Sequence, residues 1–589
     1  MSYQAPVDDI MLALKSTTDV PGLAERGVYD GLDLDTIRSV IEEAGKFAAA
    51  VLEPINSTGD RTGCRLNGGK VETAPGWDEA YRAFAEAGWN ALPCPEAWGG
   101  QGLPEIVSMA ACEIWNSANL AFGLCPLLTQ GAVGALDALG TEELKARYLP
   151  KMVTGEWTGT MNLTEPHAGS DLGALKTRAE RQPDGTYRLY GTKIFITFGE
   201  HELAKNIIHM VLARLSDAPA GTKGITLFLV PKVLVNADGS LGARNDVACA
   251  GLEHKLGIHG SPTCTMAYGD NDGAVGYLVG EENRGLAAMF LMMNAARLAV
   301  GVQGVAIAER ATQRAIAYAR ERRQGHGPDG SGMVAIIEHA DIRRSLLTMK
   351  ALTQAARMIC LATAREIDVS HRAKSEGERQ AAALRAALLT PVAKAFSTDI
   401  GCEVASLGVQ VHGGTGFIEE TGAAQYFRDA RILPIYEGTN GIQAIDLVLR
   451  KVPLEGGRVI AAYIGELERT VAEVNASNQP AFGEMGKRLG EAVGALKSAS
   501  KWMGAQLASN REAALAGATP YLRLFAIAAG GIYLARGALA SVRDGREGNA
   551  ISQARTFAEN ISTGAAGLAL TVTGGAGSIL AVAPDQINA

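Results

Sequence analysis

The sequence lacks several patterns that would identify its chemistry directly. Its 589 residues contain no G-x-G-x-x-G fingerprint opening a β-α-β unit and no G-x-x-x-x-G-K-[ST] loop. Neither a Rossmann nor a P-loop nucleotide site is therefore supported. The eight cysteines lie far apart, without a C-x-x-C pair or nearby histidine ligands. This spacing argues against zinc and against a disulfide framework, and it favours reduced thiols in a cytoplasmic protein.

The sequence also lacks a strong charge of one sign. The formal net charge is -8 and the pI is near 5.7, and no lysine or arginine tract stands out. We therefore expect no nucleic-acid partner. The N-terminus, MSYQAPVDDIMLALKS, carries two early acids and no basic segment before an apolar run, which predicts no signal peptide and a protein that stays inside the cell.

One uncharged run near the C-terminus, ISTGAAGLALTVTGGAGSILAVAP, is about as long as a bilayer span. Its five glycines and several hydroxyl side chains make it a poor transmembrane segment. We interpret it as a packed helix that ends in a Gly-rich turn. The sequence therefore predicts no membrane span.

The chain is too long for one hydrophobic core, and the spacing of its apolar residues changes along its length. Apolar residues recur every three or four positions in DLDTIRSVIEEAGKFAAAVLEPI, whereas TYRLYGTKIFIT and GITLFLVPKVLV read as strands. Long Ala/Leu/Arg helices of bundle type then follow. We predict an N-terminal extension, a helical domain, an antiparallel β-domain, a helical bundle and a further helical domain, at residues 1–33, 34–158, 159–280, 281–452 and 453–589.

Three segments carry candidate functional residues. In RILPIYEGTNGIQ, Glu437 stands between an apolar run and a Gly/Thr/Asn turn; a surface position is the ordinary interpretation, since a buried acid needs a partner. MNLTEPHAGSD offers hydroxyls and open backbone N-H groups that could hold a flavin edge or a pantetheine arm, or form a plain turn. In GTKIFITFG, alternation places Phe195 and Thr197 on one face of a strand.

Taken together, the motifs resemble the acyl-CoA dehydrogenase family over roughly residues 60–450. The resemblance rests on MNLTEPHAGSD, GTKIFITFG, EHKLGIHGSPT, VGEENRGL, ERRQG, GVQVHGGTGFIEE and YEGTNGIQ, which occur in family order. The length and the added C-terminal helices are similar to the larger bacterial subgroup that includes 3-methylmercaptopropionyl-CoA dehydrogenases. Because that subgroup also holds medium- and long-chain enzymes, the acyl chain stays open.

The resemblance implies a mainly α fold with a central β-domain, and FAD bound between the β-domain and the bundle. It implies an acyl-CoA thioester lying against the flavin. The implied FAD contacts are Leu163, Thr164, Phe195, Thr197, Arg322, Gln410, Gly413, Gly414 and Thr439. The implied substrate contacts are Ser170, Asn294, Arg297, Tyr436 and Gly438. A GHGPDGSG insertion follows ERRQ, so part of the adenine pocket must be built differently.

The implied reaction is α,β-dehydrogenation of the thioester to a trans-2-enoyl-CoA. Glu437 matches the family's base for the α-proton, and flavin N5 would accept the β-hydride. Some relatives carry the base directly before the Arg of the NAAR-like segment, where this chain has Ala296. The resemblance further implies electron-transferring flavoprotein as the acceptor. We predict a homodimer, in which Arg322 reaches the neighbour's FAD.

Two alternatives remain at this point. An acyl-CoA oxidase would share the half-reaction and use oxygen instead. A flavin-bearing DNA-associated protein of the same fold would need a basic C-terminal region, but residues 455–589 contain 12 Lys/Arg against 11 Asp/Glu. That balance disfavours DNA binding.

Overall fold

The computed structural model describes residues 3–327, 330, 332–545 and 548–588. Helices form the N-terminal part of the chain. They are α1 (Val7–Thr17), α2 (Val20–Glu25), α3 (Leu34–Phe47), α4 (Glu53–Thr62), α5 (Trp77–Glu86), α6 (Glu105–Ala118), α7 (Leu120–Leu139) and α8 (Glu142–Val153), with a small hairpin of β1 (Arg65–Asn67) and β2 (Lys70–Glu72) after α4. The predicted N-terminal extension therefore contains two helices.

The middle of the chain forms a β-domain. Its strands are β3 (Trp157–Asn162), β4 (Arg178–Arg181), β5 (Tyr187–Thr197), β6 (Asn206–Leu215), β7 (Ile225–Pro231), β8 (Val233–Val235), β9 (Leu241–Arg244), β10 (Val247–Leu252), β11 (Thr263–Tyr268) and β12 (Ala274–Leu278). The main sheet runs in the order β10-β11-β5-β12-β7-β6-β3, with β4 beside β5 and β6. It is antiparallel except that β6 pairs in parallel with β3 and β4, a detail that alternation within one strand does not encode.

The two faces of this sheet belong to two different cores. On β6, Ile208, Met210 and Leu212 join the large core shared with the helices. Val211 and Ala213, which alternate with them, join a smaller core on the opposite face. This alternation is the reason that the apolar strand NIIHMVLARL is buried along nearly its whole length.

Three long helices form the bundle, and further helices complete the C-terminal half. They are α9 (Gly285–Glu321), α10 (Ala340–Arg372), α11 (Glu376–His412), α12 (Ala423–Ala430), α13 (Asn440–Asp446), α14 (Arg458–Ala476), α15 (Met485–Ser509), α16 (Arg511–Ala516), α17 (Ala518–Arg543), α18 (Asn549–Thr556), α19 (Ala565–Gly574) and α20 (Ala576–Leu580). A hairpin of β13 (Arg323–His326) and β14 (Met333–Ala335) joins α9 to α10. It frames the predicted insertion, of which residues 328, 329 and 331 lie outside the described residues.

Close packing of α9 on α11 positions the candidate site. A Cβ on Gly304 of α9 would lie 2.3 Å from the backbone oxygen of Ser397 on α11, so only glycine permits this approach. The two helices run in the same direction, because α10 returns between them. The bundle therefore has one end near the β-domain and an opposite end where α9 and α11 both terminate.

Within the described part of the chain, three helices are long and apolar enough to cross a membrane by length and composition, namely Leu120–Leu139, Gly285–Glu321 and Ala518–Arg543. Between 56% and 83% of their most apolar windows is buried within the fold, as expected of core helices. The uncharged run near the C-terminus forms α19 and α20, with the break at Gly574 and Gly575. Much of it is exposed, including Leu570.

Candidate active site

Glu437 lies in a sharp turn between the apolar segment that follows α12 and the start of α13. Its backbone is left-handed, with φ +55°, and Gly438 follows with φ +84°. A left-handed conformation costs a non-glycine residue roughly 1–2 kcal/mol, so the surrounding structure must impose it. Thr439 caps α13 by accepting a hydrogen bond from the Ile442 N-H at 3.2 Å. The turn and its cap fix the backbone on both sides of the Glu437 side chain.

The side chain of Glu437 faces the junction of two cavities. The helix cavity, about 330 Å³, lies between the β-domain and the first turns of α9. The loop cavity, about 580 Å³, lies between the β-domain and the segment 428–439. Both are lined by Thr164, Gly169, Ser170, Phe195, Glu437 and Gly438. The predicted base and four predicted ligand contacts therefore meet at one place.

The other predicted contacts near this junction divide between the two cavities. Leu163 and Arg297 line the helix cavity. Thr197, Tyr436 and Thr439 line the loop cavity. Asn294 is not among the lining residues; its Oδ1 accepts a hydrogen bond from Arg297 Nη1 at 3.3 Å. Asn294 is exposed, and its contact with the buried Arg297 orients that guanidinium.

Two cations act on the Glu437 carboxyl group. Burial raises its pKa, whereas the charges of Lys394 and then Arg297 lower it. Burial is the largest effect, so the pKa of Glu437 lies above its ordinary value. Among the described residues, the Glu437 backbone N-H donates to no other protein group. A carboxylate of raised basicity and a free N-H donor therefore occupy the same residue.

A buried polar chain lies behind Tyr436, the residue before Glu437. The Tyr436 hydroxyl donates to Gln303 Oε1 on α9. Gln303 Nε2 donates to Asn116 Oδ1 on α6 at 2.9 Å, and Asn116 Nδ2 donates to the Cys112 oxygen at 2.8 Å. Gln303 and Asn116 are fully buried. Hydrogen bonding satisfies these groups and fixes the Tyr436 ring beside the loop cavity.

The β-domain presents an exposed aromatic ring to both cavities. Phe195 is 58% exposed and left-handed, with φ +61°. The Ile194 N-H beside it donates to the Thr164 oxygen at 2.9 Å, and the buried Lys193 ammonium holds the Leu163 oxygen and Glu165 at 2.9 and 2.8 Å. The backbone of Phe195 is strained and its ring is exposed next to hydroxyl groups. This arrangement suits a flat heterocyclic ligand that covers the ring. These residues fit the isoalloxazine of FAD.

The remaining predicted FAD contacts lie at the opposite end of the bundle. Arg322 ends α9, and Gln410, Gly413 and Gly414 lie at the end of α11. The two ends meet where the Tyr318 and His412 rings stack at 4.4 Å. Cβ atoms on Gly413 and Gly414 would meet nothing within 4 Å. This end of the bundle therefore presents open backbone beside a guanidinium, a combination suited to phosphate and adenosine.

Several residues near Glu437 escaped prediction. Lys394, Gln303 and Asn116 come from helices and lie 43 to 321 positions before Glu437 in the sequence, and no local pattern marks Gln303 or Asn116. Arg450, which lines the helix cavity, was also missed. A signal existed only for Lys394, because a lysine inside the apolar helix segment PVAKAF needs a partner.

Comparison with protein families assigns four consecutive regions. Residues 35–156, 160–270 and 283–452 match the acyl-CoA dehydrogenase N-terminal, middle and C-terminal domains. Residues 463–583 match an acetyl-CoA dehydrogenase C-terminal-like domain. These four matches follow the order of helices, sheet, bundle and added helices described above.

Relatives of known name match most of the chain. It is 48% identical over 543 residues, 92% of each chain, to 3-methylmercaptopropionyl-CoA dehydrogenase of Ruegeria pomeroyi. It is 36% identical to a butyryl-CoA dehydrogenase of Syntrophomonas wolfei, covering 82% of this chain and 80% of the relative.

Solved structures share the fold over nearly the whole chain. Caenorhabditis elegans ACDH-11 in complex with C11-CoA superimposes with a TM-score of 0.78 at 20% identity, covering 95% of this chain and 91% of that one. A Bacillus anthracis acyl-CoA dehydrogenase complexed with FAD superimposes with a TM-score of 0.71 at 21% identity, covering 96% and 91%.

Proposed function

The chain belongs to the acyl-CoA dehydrogenase family of FAD-dependent oxidoreductases, and from this premise we propose that it converts a short acyl-CoA, 3-methylmercaptopropionyl-CoA in particular, to its trans-2-enoyl-CoA. The observation that carries the proposal is the position of Glu437 at the junction of two cavities. One cavity would take the thioester and the other the isoalloxazine. The carboxylate, at the junction of the two, would lie beside the α-carbon of a thioester bound against the flavin.

Glu437 acts as the base that removes the α-proton. An α-C-H beside a thioester is a weak acid, and a base with a raised pKa in a site closed to water is better matched to it. The free Glu437 N-H is available to stabilise the enolate-like thioester oxygen. FAD, when bound, accepts the β-hydrogen with its electron pair, so that loss of a proton and a hydride leaves a Cα=Cβ double bond.

The proton transfer gives the reaction a defined pH dependence. Glu437 must be ionised to act, and its pKa is raised by burial. We therefore expect the rate constant of flavin reduction to fall as the pH drops through a value above the ordinary carboxyl range. Arg297, held by Asn294 and 3.9 Å from Asp446, would keep its charge at the substrate side throughout this range.

The polar chain behind Tyr436 supports a short acyl group. An acyl tail that continued between α6 and α9 would meet the buried Asn116 and Gln303 amides and, beyond them, the Glu113 and Arg357 charges. Displacing hydrogen-bonded polar groups with methylenes leaves those groups unsatisfied. Among the described residues that line the two cavities, none comes from α6. The two named relatives, which carry 3-methylmercaptopropionyl and butyryl substrates in their names, agree with a short chain.

An acyl-CoA series tests this substrate class. We expect kcat/KM to be greatest for 3-methylmercaptopropionyl-CoA and butyryl-CoA and at least ~10-fold lower for octanoyl-CoA. The Gln303→Ala variant should raise kcat/KM for octanoyl-CoA relative to kcat/KM for butyryl-CoA, because it removes an amide of the polar chain that would oppose a longer acyl tail. Equal kcat/KM for butyryl- and palmitoyl-CoA in the wild type would contradict the proposed limit.

The natural electron acceptor remains part of the proposal. We propose electron-transferring flavoprotein, and the oxidase alternative predicts instead that oxygen sustains turnover alone. Steady-state turnover measured in air, with and without that flavoprotein, separates the two. A rate unchanged by the flavoprotein would favour the oxidase.

We also propose that two copies of the chain share each FAD. Arg297 and Arg322 lie on the same helix, 25 residues apart, and at 1.5 Å per residue they are separated by roughly 37 Å. One FAD molecule lying against Phe195 would not extend to Arg322 of the same chain. A second copy that presents its α9 and α11 ends to this site would complete it.

Arg322→Ala should weaken FAD binding by at least ~10-fold, because a charge-assisted contact to the pyrophosphate is lost. Arg323→Ala is the matched control, since the Arg323 guanidinium is already held by the Met333 oxygen at 2.5 Å. The measurement is the flavin-to-protein absorbance ratio after gel filtration at low protein concentration. An FAD-loaded monomer in sedimentation, or full flavin retention by Arg322→Ala, would refute the shared site.

A further inference from the structure

Lys394 is a buried cation that the reaction proposed above does not use. It lies in the middle of α11 and is completely buried. Its ammonium donates three hydrogen bonds of 2.9 Å each, to the Leu433 oxygen, the Gly438 oxygen and Asn440 Oδ1. A lysine ammonium has three donors, and all three point to the turn that contains Glu437.

We propose that Lys394 is a positioning residue that holds the segment 433–440, and with it the Glu437 carboxylate, in the geometry for proton abstraction. Its acceptors lie on both sides of Glu437 along the chain. One ammonium therefore joins the entry and the exit of the turn to a rigid helix. This contact explains how the left-handed backbone of Glu437 is maintained.

Asn440 extends the anchor. Its Nδ2 group lies 3.1, 2.9 and 2.7 Å from the Ala395 oxygen, Thr398 Oγ1 and Asp399 Oδ1, and these three acceptors on α11 share its two N-H groups. Its Oδ1 is therefore oriented toward Lys394, because the amide nitrogen is committed to α11. The first residue of α13 is thus fixed to α11 independently of the Thr439 cap.

The Lys394 ammonium also acts electrostatically on Glu437. Its three hydrogen-bond acceptors are neutral groups, so none of them cancels its positive charge. The charged groups around it are Glu437 from the turn, Asp399 from its own helix and Arg297 from α9. Asp399 faces Asn440, Arg523 and Glu403 as well. Glu437 is the largest favourable charge acting on Lys394, and burial lowers the pKa of Lys394 to about 7. Loss of the Lys394 charge should therefore raise the pKa of Glu437.

Two variants separate the anchor from the charge, and both rest on the proposed role of Glu437. Lys394→Met removes the three donors and the charge, whereas Lys394→Gln keeps amide donors and removes the charge. Lys350→Met on α10 is the matched control, because Lys350 pairs with Asp9 away from the site. If Lys394→Met fails to fold, Lys394→Gln still reports on both roles.

The first measurement is amide hydrogen exchange of the peptide 431–443 in the FAD-loaded protein. We expect exchange at least ~10-fold faster in Lys394→Met, a smaller increase in Lys394→Gln and no change in Lys350→Met. The second is the pH dependence of flavin reduction. Its acid limb should move up by about one pH unit in both Lys394 variants, which a merely structural lysine would not cause.

Wild-type exchange in both Lys394 variants would overturn the anchor, and an unshifted acid limb in both would overturn the electrostatic role. Glu437→Gln, measured in parallel, keeps this test distinct from the test of the reaction. If Glu437→Gln still reduces flavin at the wild-type rate, the proposed base is wrong. The exchange experiment would then still decide whether Lys394 holds the turn.

Discussion

Glu437→Gln should lower the rate constant of flavin reduction by at least ~100-fold while FAD content and fold stay unchanged. Glutamine has nearly the shape of glutamate, so the left-handed turn and the Thr439 cap should persist. The substitution removes only the ability to accept the α-proton. Stopped-flow absorbance in the flavin band, recorded anaerobically with 3-methylmercaptopropionyl-CoA, measures the effect.

The control for this variant is Glu437→Asp, which keeps a carboxylate but withdraws it by one methylene. Its rate should lie between those of the wild type and Glu437→Gln. Ala296, at the alternative position that the sequence resemblance implies for the base, is buried and cannot accept a proton. Equal reduction rates in the wild type and Glu437→Gln would show that a different residue takes the proton.

Arg357→Met should lower the free energy of unfolding by ~3–5 kcal/mol at pH 8, because it leaves buried carboxylates without their charged partner. The Arg357 guanidinium donates to both Glu113 oxygens at 2.6 to 3.0 Å and to Glu309 at 2.8 Å. Arg357 is almost completely buried. Urea unfolding followed by tryptophan fluorescence gives the difference from the wild type.

Arg344→Met is the matched control on the same helix, since Arg344 forms a surface pair with Asp341 and is 62% exposed. That pair is expected to contribute less than ~1 kcal/mol. Burial raises the pKa of Glu113, and Arg357 opposes the rise. Without Arg357 the carboxyl should protonate at higher pH, so the deficit of Arg357→Met should shrink as the pH is lowered. Equal losses in the two variants would contradict the account of this cluster.

The fold class followed from periodicity because local patterns encode it. The helical spacing in DLDTIRSVIEEAGKFAAAVLEPI is that of α3, which buries Ile37, Ile41 and Ala44. The strand predicted in GITLFLVPKVLV includes the fully buried β7. The parallel pairing of β3 with β6 did not follow, since pairing partners depend on tertiary structure. The periodicity of the sequence also did not specify the two helices before residue 34, the first of which, α1, packs on α10 and α17.

The candidate site was only partly predictable for the same reason. Motifs such as YEGTNGIQ mark residues that lie at the cavity junction, but they do not mark the residues that hold this turn in place. Lys394 and Gln303 contact the turn from distant helices. The left-handed backbone at Glu437 is visible only in three dimensions. The distance between Arg297 and Arg322 likewise needs the uninterrupted helix α9.

In the proposed reaction, this chain removes an α-proton and a β-hydride from a short acyl-CoA. The most direct measurement mixes FAD-loaded protein anaerobically with one equivalent of 3-methylmercaptopropionyl-CoA and follows the flavin absorbance and the thioester products together. We expect bleaching of the flavin band and formation of an equal amount of the 2-enoyl-CoA. Unbleached flavin and unchanged thioester, with this substrate and with butyryl-CoA, would contradict the proposed reaction.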